Sequence, residues 1–312
     1  MVLEPGRPAV VAVGVATLWR GPDAPRPVDH PALAAPPDTA AWVRGMSHDE
    51  RIHDGVLTQL LLGERVLVEQ VRDGWVRAVA LDQPAGRLDP RGYPGWLPAS
   101  HLAPEPHADS TGLTWVVDAA GTALRDAPDG AVTVPQVVAG TRLVAAEAAQ
   151  DGWLPVRVPG RRDPAWAPAG DLTPTPQGPA DAGQVLAFAR RLLGIAYVWG
   201  GMTPYGIDCS GLVHLAWRRH GVVLPRDADD QARAVEPVPL GEERPGDLYF
   251  FARPGRPVHH IGFVASAPVG TGEGERQMVH ACYTQRRVVA EPVTGDRHAT
   301  LVAAGRVRLP AP

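Results

Sequence analysis

YVWGGMTPYGIDCSGLVHLAWRRHG, residues 197–221, decides how the chain reads. An aromatic strand end passes through a glycine-rich loop into a helix headed by Cys209. Leu212, Leu215, Ala216 and Arg219 stand at helical spacing, and Gly221 falls where a helix C-terminus favours a residue tolerant of positive φ. Cys209 therefore lies in the first turn, where the positive end of the helix dipole and unpaired N–H groups favour thiolate over thiol. A lone cysteine is more often a small packed residue than a nucleophile. Here Asp208 and Ser210 flank the thiol, a polarity that packing alone does not require.

Working outward, Asp181 is placed to cap a preceding helix with an apolar face of Val185, Leu186, Ala189, Leu192 and Leu193, ended by Gly194. After the cysteine helix come short β-type runs at 248–251, 260–264, 278–283 and 305–309, separated by Pro/Gly turns. Helices first and strands afterwards make an α+β domain over residues 180–312, in which the helix carrying Cys209 packs on an antiparallel sheet. A cysteine nucleophile needs an imidazole to take its proton and a further polar group to fix that imidazole's tautomer. Strand alternation lets only one of His259 and His260 face the helix, and periodicity leaves both open. His280 lies in a neighbouring apolar run.

N-terminal to the linker at 173–179, TPTPQGP, two segments repeat one pattern. In the first, Gly63-Glu64-Arg65-Val66 leads to Asp73-Gly74-Trp75 and closes with Trp96-Leu97-Pro98-Ala99 and Leu102. The second runs Gly140-Thr141-Arg142-Leu143, Asp151-Gly152-Trp153, Trp166-Ala167-Pro168-Ala169 and Leu172. Each reads as short strands joined by an Asp-Gly turn, with tryptophan filling a small barrel. The first copy, within residues 1–105, adds Pro-rich material, a helical piece near 38–46 and an insertion around Gly92-Tyr93-Pro94-Gly95-Trp96; the second occupies residues 110–173.

Composition bounds the function. A length of 312 residues implies two or three domains, and 34 Gly with 34 Pro favour turns and short strands over long helices. The net charge of −4, with no basic run longer than a pair, argues against nucleic acid as a partner. Cys209 and Cys282 are the only cysteines, so no disulfide framework is written and a reducing compartment fits. The apolar run from Ala9 to Leu18 is short and preceded by Glu4; it reads as one first strand rather than a targeting segment, so a cytoplasmic protein without a membrane span is expected.

Trp199-Gly200-Gly201, Asp208-Cys209-Ser210-Gly211-Leu212-Val213, Leu224-Pro225-Arg226, Pro245-Gly246-Asp247-Leu248, His260-Ile261-Gly262 and Val279-His280-Ala281 together resemble the successive motifs of the NlpC/P60 cysteine peptidases. The repeated segments resemble bacterial SH3-type domains. The resemblance implies a papain-like fold with Cys209 as nucleophile, His260 as general base and acid, and His280 as the residue orienting that base, with no cofactor. More narrowly, the chain is similar to the γ-D-glutamyl-L-diamino-acid endopeptidases, also called dipeptidyl-peptidase VI, that act on free murein peptides with an N-terminal L-Ala. That implies Tyr197, Trp199, Asp208 and Ser210 around the substrate's amino end. It also implies a contribution from the first SH3-type domain, for which Tyr93 and an acidic residue, Glu64 or Asp54, are the candidates. Two positions after Arg226 the family often has serine; Ala228 stands here.

Several other readings compete. A zinc site from Cys209, Cys282, Asp208 and the histidines lacks the usual close ligand pairs, His280 with Cys282 being the one exception. The glycines at 200–206 match neither dinucleotide nor phosphate-loop spacing. A non-catalytic wall-binding protein would have no need of Cys209, His260 and His280 together. A hydrolase of intact wall, or a transferase using the same thiol, shares these residues and remains an alternative.

Overall fold

The structure, a computed structural model, describes residues 3–105, 113–176, 178 and 180–309. Its contacts divide the chain into two units: Met1–Asp82, Leu88–Thr175 and Thr203–Tyr205 form one, and Gln83–Arg87, Pro176–Met202 and Gly206–Pro312 the other.

The first unit holds two β-rich domains. Strands β1 (Pro8–Val11), β2 (Val15–Trp19), β3 (Val56–Leu61), β4 (Arg65–Arg72), β5 (Trp75–Ala80), β6 (Tyr93–Pro98) and β7 (Leu102–Pro104) form a sheet in the order β3-β2-β6-β5-β4-β1-β7. Strands β8 (Thr114–Val117), β9 (Gly121–Arg125), β10 (Val132–Val138), β11 (Arg142–Ala145), β12 (Trp153–Arg157), β13 (Ala165–Pro168) and β14 (Leu172–Pro174) form another, ordered β10-β9-β13-β12-β11-β8-β14. The second order is the first with every strand advanced by seven, so the sequence repeat is a repeat of topology. Both Asp-Gly turns have the positive φ values that a two-residue hairpin demands: 50° and 78° at Asp73-Gly74, 46° and 82° at Asp151-Gly152.

Three expectations change in this unit. The apolar run at the N-terminus is two strands, β1 and β2, because the chain turns at Gly14, where a Cβ would collide with the carbonyls of Pro135 and Gln136. The stretch read as an insertion at 92–96 is the start of β6, paired along its length with β5. Trp75, Trp96, Trp153 and Trp166 are only half-buried; in the second sheet the interior is aliphatic, built from Leu124, Val134, Val137, Leu143, Leu154, Val156 and Leu172. Among the described residues of this unit the fully buried indoles are Trp19 and Trp42, the latter carried by α2 (Thr39–Gly45), which follows the single turn α1 (His30–Leu33). Asp38 caps α2 by accepting from the Ala41 N–H at 2.8 Å.

The second unit opens with α3 (Ala182–Arg191), where Asp181 Oδ1 accepts from the Gly183 N–H at 2.8 Å. Val185, Leu186 and Ala189 are buried as expected, joined by Phe188, which the sequence reading left out; Leu192 is the buried C-cap, and Leu193 lies beyond the helix and is exposed. Short strands β15 (Met202–Thr203) and β16 (Gly206–Ile207) lead into α4 (Cys209–Arg219), followed by α5 (Ala228–Ala234). Strands β17 (Glu236–Val238), β18 (Leu248–Ala252), β19 (Val258–Ser266), β20 (Gln277–Cys282), β21 (Arg287–Pro292) and β22 (Leu301–Arg306), with α6 (Gly295–Thr300) before the last, form an antiparallel sheet ordered β17-β22-β18-β19-β20-β21. The final strand begins four residues earlier than the run at 305–309 suggested, and β21 was not anticipated. Every residue of α4 from Cys209 to Arg218 is buried, as befits a helix enclosed by β19, β20 and α3. Tyr249, Phe251, Val264, Met278 and Val293 form the apolar cluster within the sheet. Among the described residues no helix is long and apolar enough to cross a membrane.

Candidate active site

Asp208 is the N-cap of α4, with extended backbone at φ −96° and ψ 177°. Its carboxylate is filled from within the unit. Oδ1 accepts from the Gly211 N–H (2.6 Å), the Ser210 hydroxyl (3.1 Å) and Arg226 (3.0 Å), while Oδ2 accepts from the Gly200 N–H (2.9 Å) and Arg226 (2.7 Å). Arg226 is 1% exposed, donates again to the Ser210 hydroxyl at 2.8 Å, and so ties the LPR segment to the glycine loop and the helix start. A carboxylate offers about four lone-pair sites. Asp208 and Ser210 are thus tied into one hydrogen-bonded floor at the head of α4, on either side of Cys209. Glycine is required at two positions of this floor: a Cβ at Gly211 would run into the Gly201 carbonyl, and one at Gly201 into Gly206.

Cys209 is 7% exposed, and the N–H groups of Ile261 and Ser210 bond toward its sulfur. Burial, then the Asp208 charge, pushes its thiol up to about 12. The helix-start stabilisation expected from sequence is thus outweighed by desolvation, because the sulfur has been removed from water while Asp208 lies beside it. Its resting form is the neutral thiol. Tyr197, 4% exposed, has its hydroxyl pushed well up by burial and by Cys209 and Asp208, which places the ring beside both. Its N–H donates to the Arg286 carbonyl at 2.8 Å and its ring meets Tyr283 edge-on. Trp199, 43% exposed, lies two residues on.

Strand alternation resolves the histidine pair: His259 is exposed and His260 buried. Nε2 of His260 lies 2.7 Å from Nδ1 of His280, and Nε2 of His280 lies 2.8 Å from Oε1 of Glu291. Gly262 permits this approach of β19 and β20, since a Cβ there would stand 2.9 Å from that of His280. The hydrogen bond from His280 holds the Glu291 carboxyl below its usual range, so Glu291 is ionised and only accepts. Burial holds both histidines low, His260 well below its ordinary value, so both are neutral near pH 7. The protons then follow from the distances. His280 donates through Nε2 to Glu291 and accepts at Nδ1 from His260 Nε2–H, which leaves the His260 lone pair on Nδ1. Because the next residue, Ile261, directs its N–H at the Cys209 sulfur, this base sits in the strand segment against the thiol. Glu291 was missed from sequence; it lies on β21, whose RVVAEP carries no motif.

Cys282 is 1% exposed, with Sγ 3.2 Å from the Thr284 hydroxyl. Tyr93 and Glu64 are buried in the first unit, and Asp54 pairs with Arg20 at 3.1 Å there.

A thiol, a buried neutral imidazole and an ionised carboxylate behind a second imidazole form a set suited to acyl transfer. Residues 194–306 match the NlpC/P60 family. Over 285 residues, 89% of this chain and 91% of the relative, the sequence is 33% identical to the Gamma-D-glutamyl-L-lysine dipeptidyl-peptidase of Bacillus subtilis (strain 168). The chain belongs to the NlpC/P60 family. A Bacillus cereus (strain ATCC 10987 / NRS 248) relative of the same name is 30% identical, covering 97% of this chain and 91% of its own. A crystal structure of an NlpC/P60 family protein from Bacillus cereus ATCC 10987 superimposes with a TM-score of 0.86 at 29% identity, over 96% of this chain and 99% of that one. As an NlpC/P60 member with these relatives the chain is a peptidoglycan-related cysteine peptidase.

Proposed function

We propose that this peptidase hydrolyses the γ-D-Glu–diamino acid bond of free murein peptides that begin with L-Ala, in the cytoplasm, with Cys209 as nucleophile, His260 as base and acid, and His280 as the residue that orients it. What supports the catalytic assignment is the hydrogen-bonded chain Glu291–His280–His260, together with the N–H of the next residue, Ile261, which bonds toward the Cys209 sulfur. The substrate class rests on relatives named for γ-D-glutamyl-L-lysine dipeptidyl-peptidase activity that match nearly end to end. The apolar N-terminal run is built into the first sheet as β1 and β2, which supports the cytoplasmic reading. The two β-rich domains are read as SH3-type modules from their shared repeat.

In the proposed reaction the Cys209 proton passes to His260 Nδ1 as the sulfur attacks the γ-glutamyl carbonyl. A thiol at about 12 makes this transfer part of the attack rather than a prior equilibrium. The oxyanion is held by backbone N–H groups at the head of α4, that of Cys209 first. Imidazolium His260, stabilised through His280 by Glu291, protonates the leaving α-amine; water then adds to the thioester with His260 as base and the dipeptide leaves. Tyr197 and Trp199 are the side chains placed to meet the dipeptide, while Asp208 and Ser210 act by fixing the floor through Arg226. Mass spectrometry of products from L-Ala-γ-D-Glu-L-Lys and its diaminopimelate analogue tests the reading: free diamino acid is expected, and an intact tripeptide would refute it.

A further inference from the structure

The same β20–β21 hairpin that positions His280 gathers a second group of ligand atoms. His280 and Cys282 are two residues apart on one face of β20, and Glu291, paired with Met278, lies on that face of β21. Ligand atoms from His280, Cys282 and Glu291 all lie within 4.8 Å of one another. His280 and Cys282 are buried, whereas the Glu291 side chain is 24% exposed and opens the group to solvent. Zinc bonds of about 2.0–2.3 Å place tetrahedral ligand atoms about 3.3–3.8 Å apart, so closure spreads His280 Nε2 and Glu291 Oε1, now 2.8 Å apart, by about 0.5–1 Å and draws the widest pair together by about 1 Å. Thiolate, imidazole and carboxylate together suit zinc, with water in the fourth position.

We propose that His280, Cys282 and Glu291 form an inhibitory zinc site that disarms the peptidase by reversing the tautomers of the His260–His280 pair. Zinc takes the lone pair of His280 Nε2, displacing the proton that was donated to Glu291. His280 Nδ1 then carries hydrogen, received from His260 Nε2, and donates where it formerly accepted. His260 is reprotonated from solvent at Nδ1 and presents N–H, not a lone pair, toward Cys209. The Cys282 thiol proton goes to solvent, so each ion bound releases one proton net. The inhibitory step rests on His260 acting as base; the binding step does not.

The test uses the full chain with Cys209→Ala, so that the nucleophile contributes no sulfur, and Cys209→Ser as a second background, each checked for folding by circular dichroism. Zinc is titrated against a chromophoric chelator, and cobalt is substituted to read thiolate-to-metal charge transfer. One metal per chain with a sulfur charge-transfer band is expected in both backgrounds, lost when Cys282→Ala is added. No binding, or binding indifferent to Cys282, overturns the site. With Cys209 present, zinc should inhibit reversibly to EDTA, and Cys282→Ala should weaken that inhibition at least about tenfold. Inhibition unchanged by Cys282→Ala, or binding without inhibition, overturns the tautomer relay. A protein that binds zinc as expected but cleaves no γ-D-glutamyl peptide would refute the proposed function and leave the site standing.

Discussion

Glu291→Gln isolates what the carboxylate contributes to the proposed relay. The amide retains an oxygen to accept from His280 Nε2–H, at the 2.8 Å distance now seen, so the tautomers of His280 and His260 are preserved. What is lost is the negative charge that stabilises the histidine pair once it has taken the Cys209 proton. A hydrogen bond to a charged group is worth ~1.5–3 kcal/mol against ~1 for a neutral one, so the charge contributes ~0.5–2 kcal/mol in the transition state. The Glu291 side chain is 24% exposed, and solvent screening favours the lower half of that interval. The expected loss is about 2–8-fold in kcat/KM, carried by kcat with KM little changed, because Glu291 acts through another residue. Glu291→Ala should cost more, since His280 Nε2–H then loses its acceptor and the tautomer is no longer fixed. Steady-state kinetics on L-Ala-γ-D-Glu-L-Lys, with thermal melts to confirm equal folding, provide the assay. Both variants within twofold of wild type would refute the relay.

Alkylation of Cys209 by iodoacetamide should keep accelerating above pH 9, because the thiol is pushed up to about 12; a plateau below pH 7 would show a resting thiolate instead. Asp208→Asn leaves the Arg226 guanidinium, 1% exposed, without its anion and should cost ~3–5 kcal/mol in urea unfolding; a loss under ~1 would return Asp208 to the role of a substrate clamp. His214 is fully buried in α4 and burial, with Arg218 and Arg226, holds it down to about 3. The unfolded chain therefore binds a proton there below about pH 6.5 that the folded chain does not, and stability falls as pH drops; between pH 6.5 and 5 this amounts to ~2 kcal/mol, which His214→Leu should remove from the acid limb of the stability curve. An unchanged limb would contradict it.

Much of the site was legible because it sits in motifs whose spacing has a local cause. Asp208, Ser210 and Gly211 mark a capped helix start, so Cys209 stood out from its neighbours, whereas His260 and His280 were supplied by the motifs that resemble the family. Alternation left His259 and His260 open, the family resemblance named His260, and in the sheet His260 is the buried one of the pair. Glu291 and the purpose of Arg226 were hidden because each acts across a long sequence separation, on His280 and on Asp208, and neither interval is visible in the chain. The thiol's protonation was misread for a related reason: the helix start is local, whereas the burial that outweighs it is produced by β19 and β20. In the first unit the tryptophans of the two DGW motifs follow a turn and lie half-out of the core, so a strand pattern rich in aromatics overstated their burial.

The central claim, that Cys209 cleaves the bond between γ-D-Glu and a diamino acid, is tested most directly by mass spectrometry of L-Ala-γ-D-Glu-L-Lys after incubation with wild type and with Cys209→Ala. The account predicts L-Ala-γ-D-Glu and free lysine from the wild type and unchanged tripeptide from the variant. Release of alanine alone, or equal cleavage by Cys209→Ala, would contradict it.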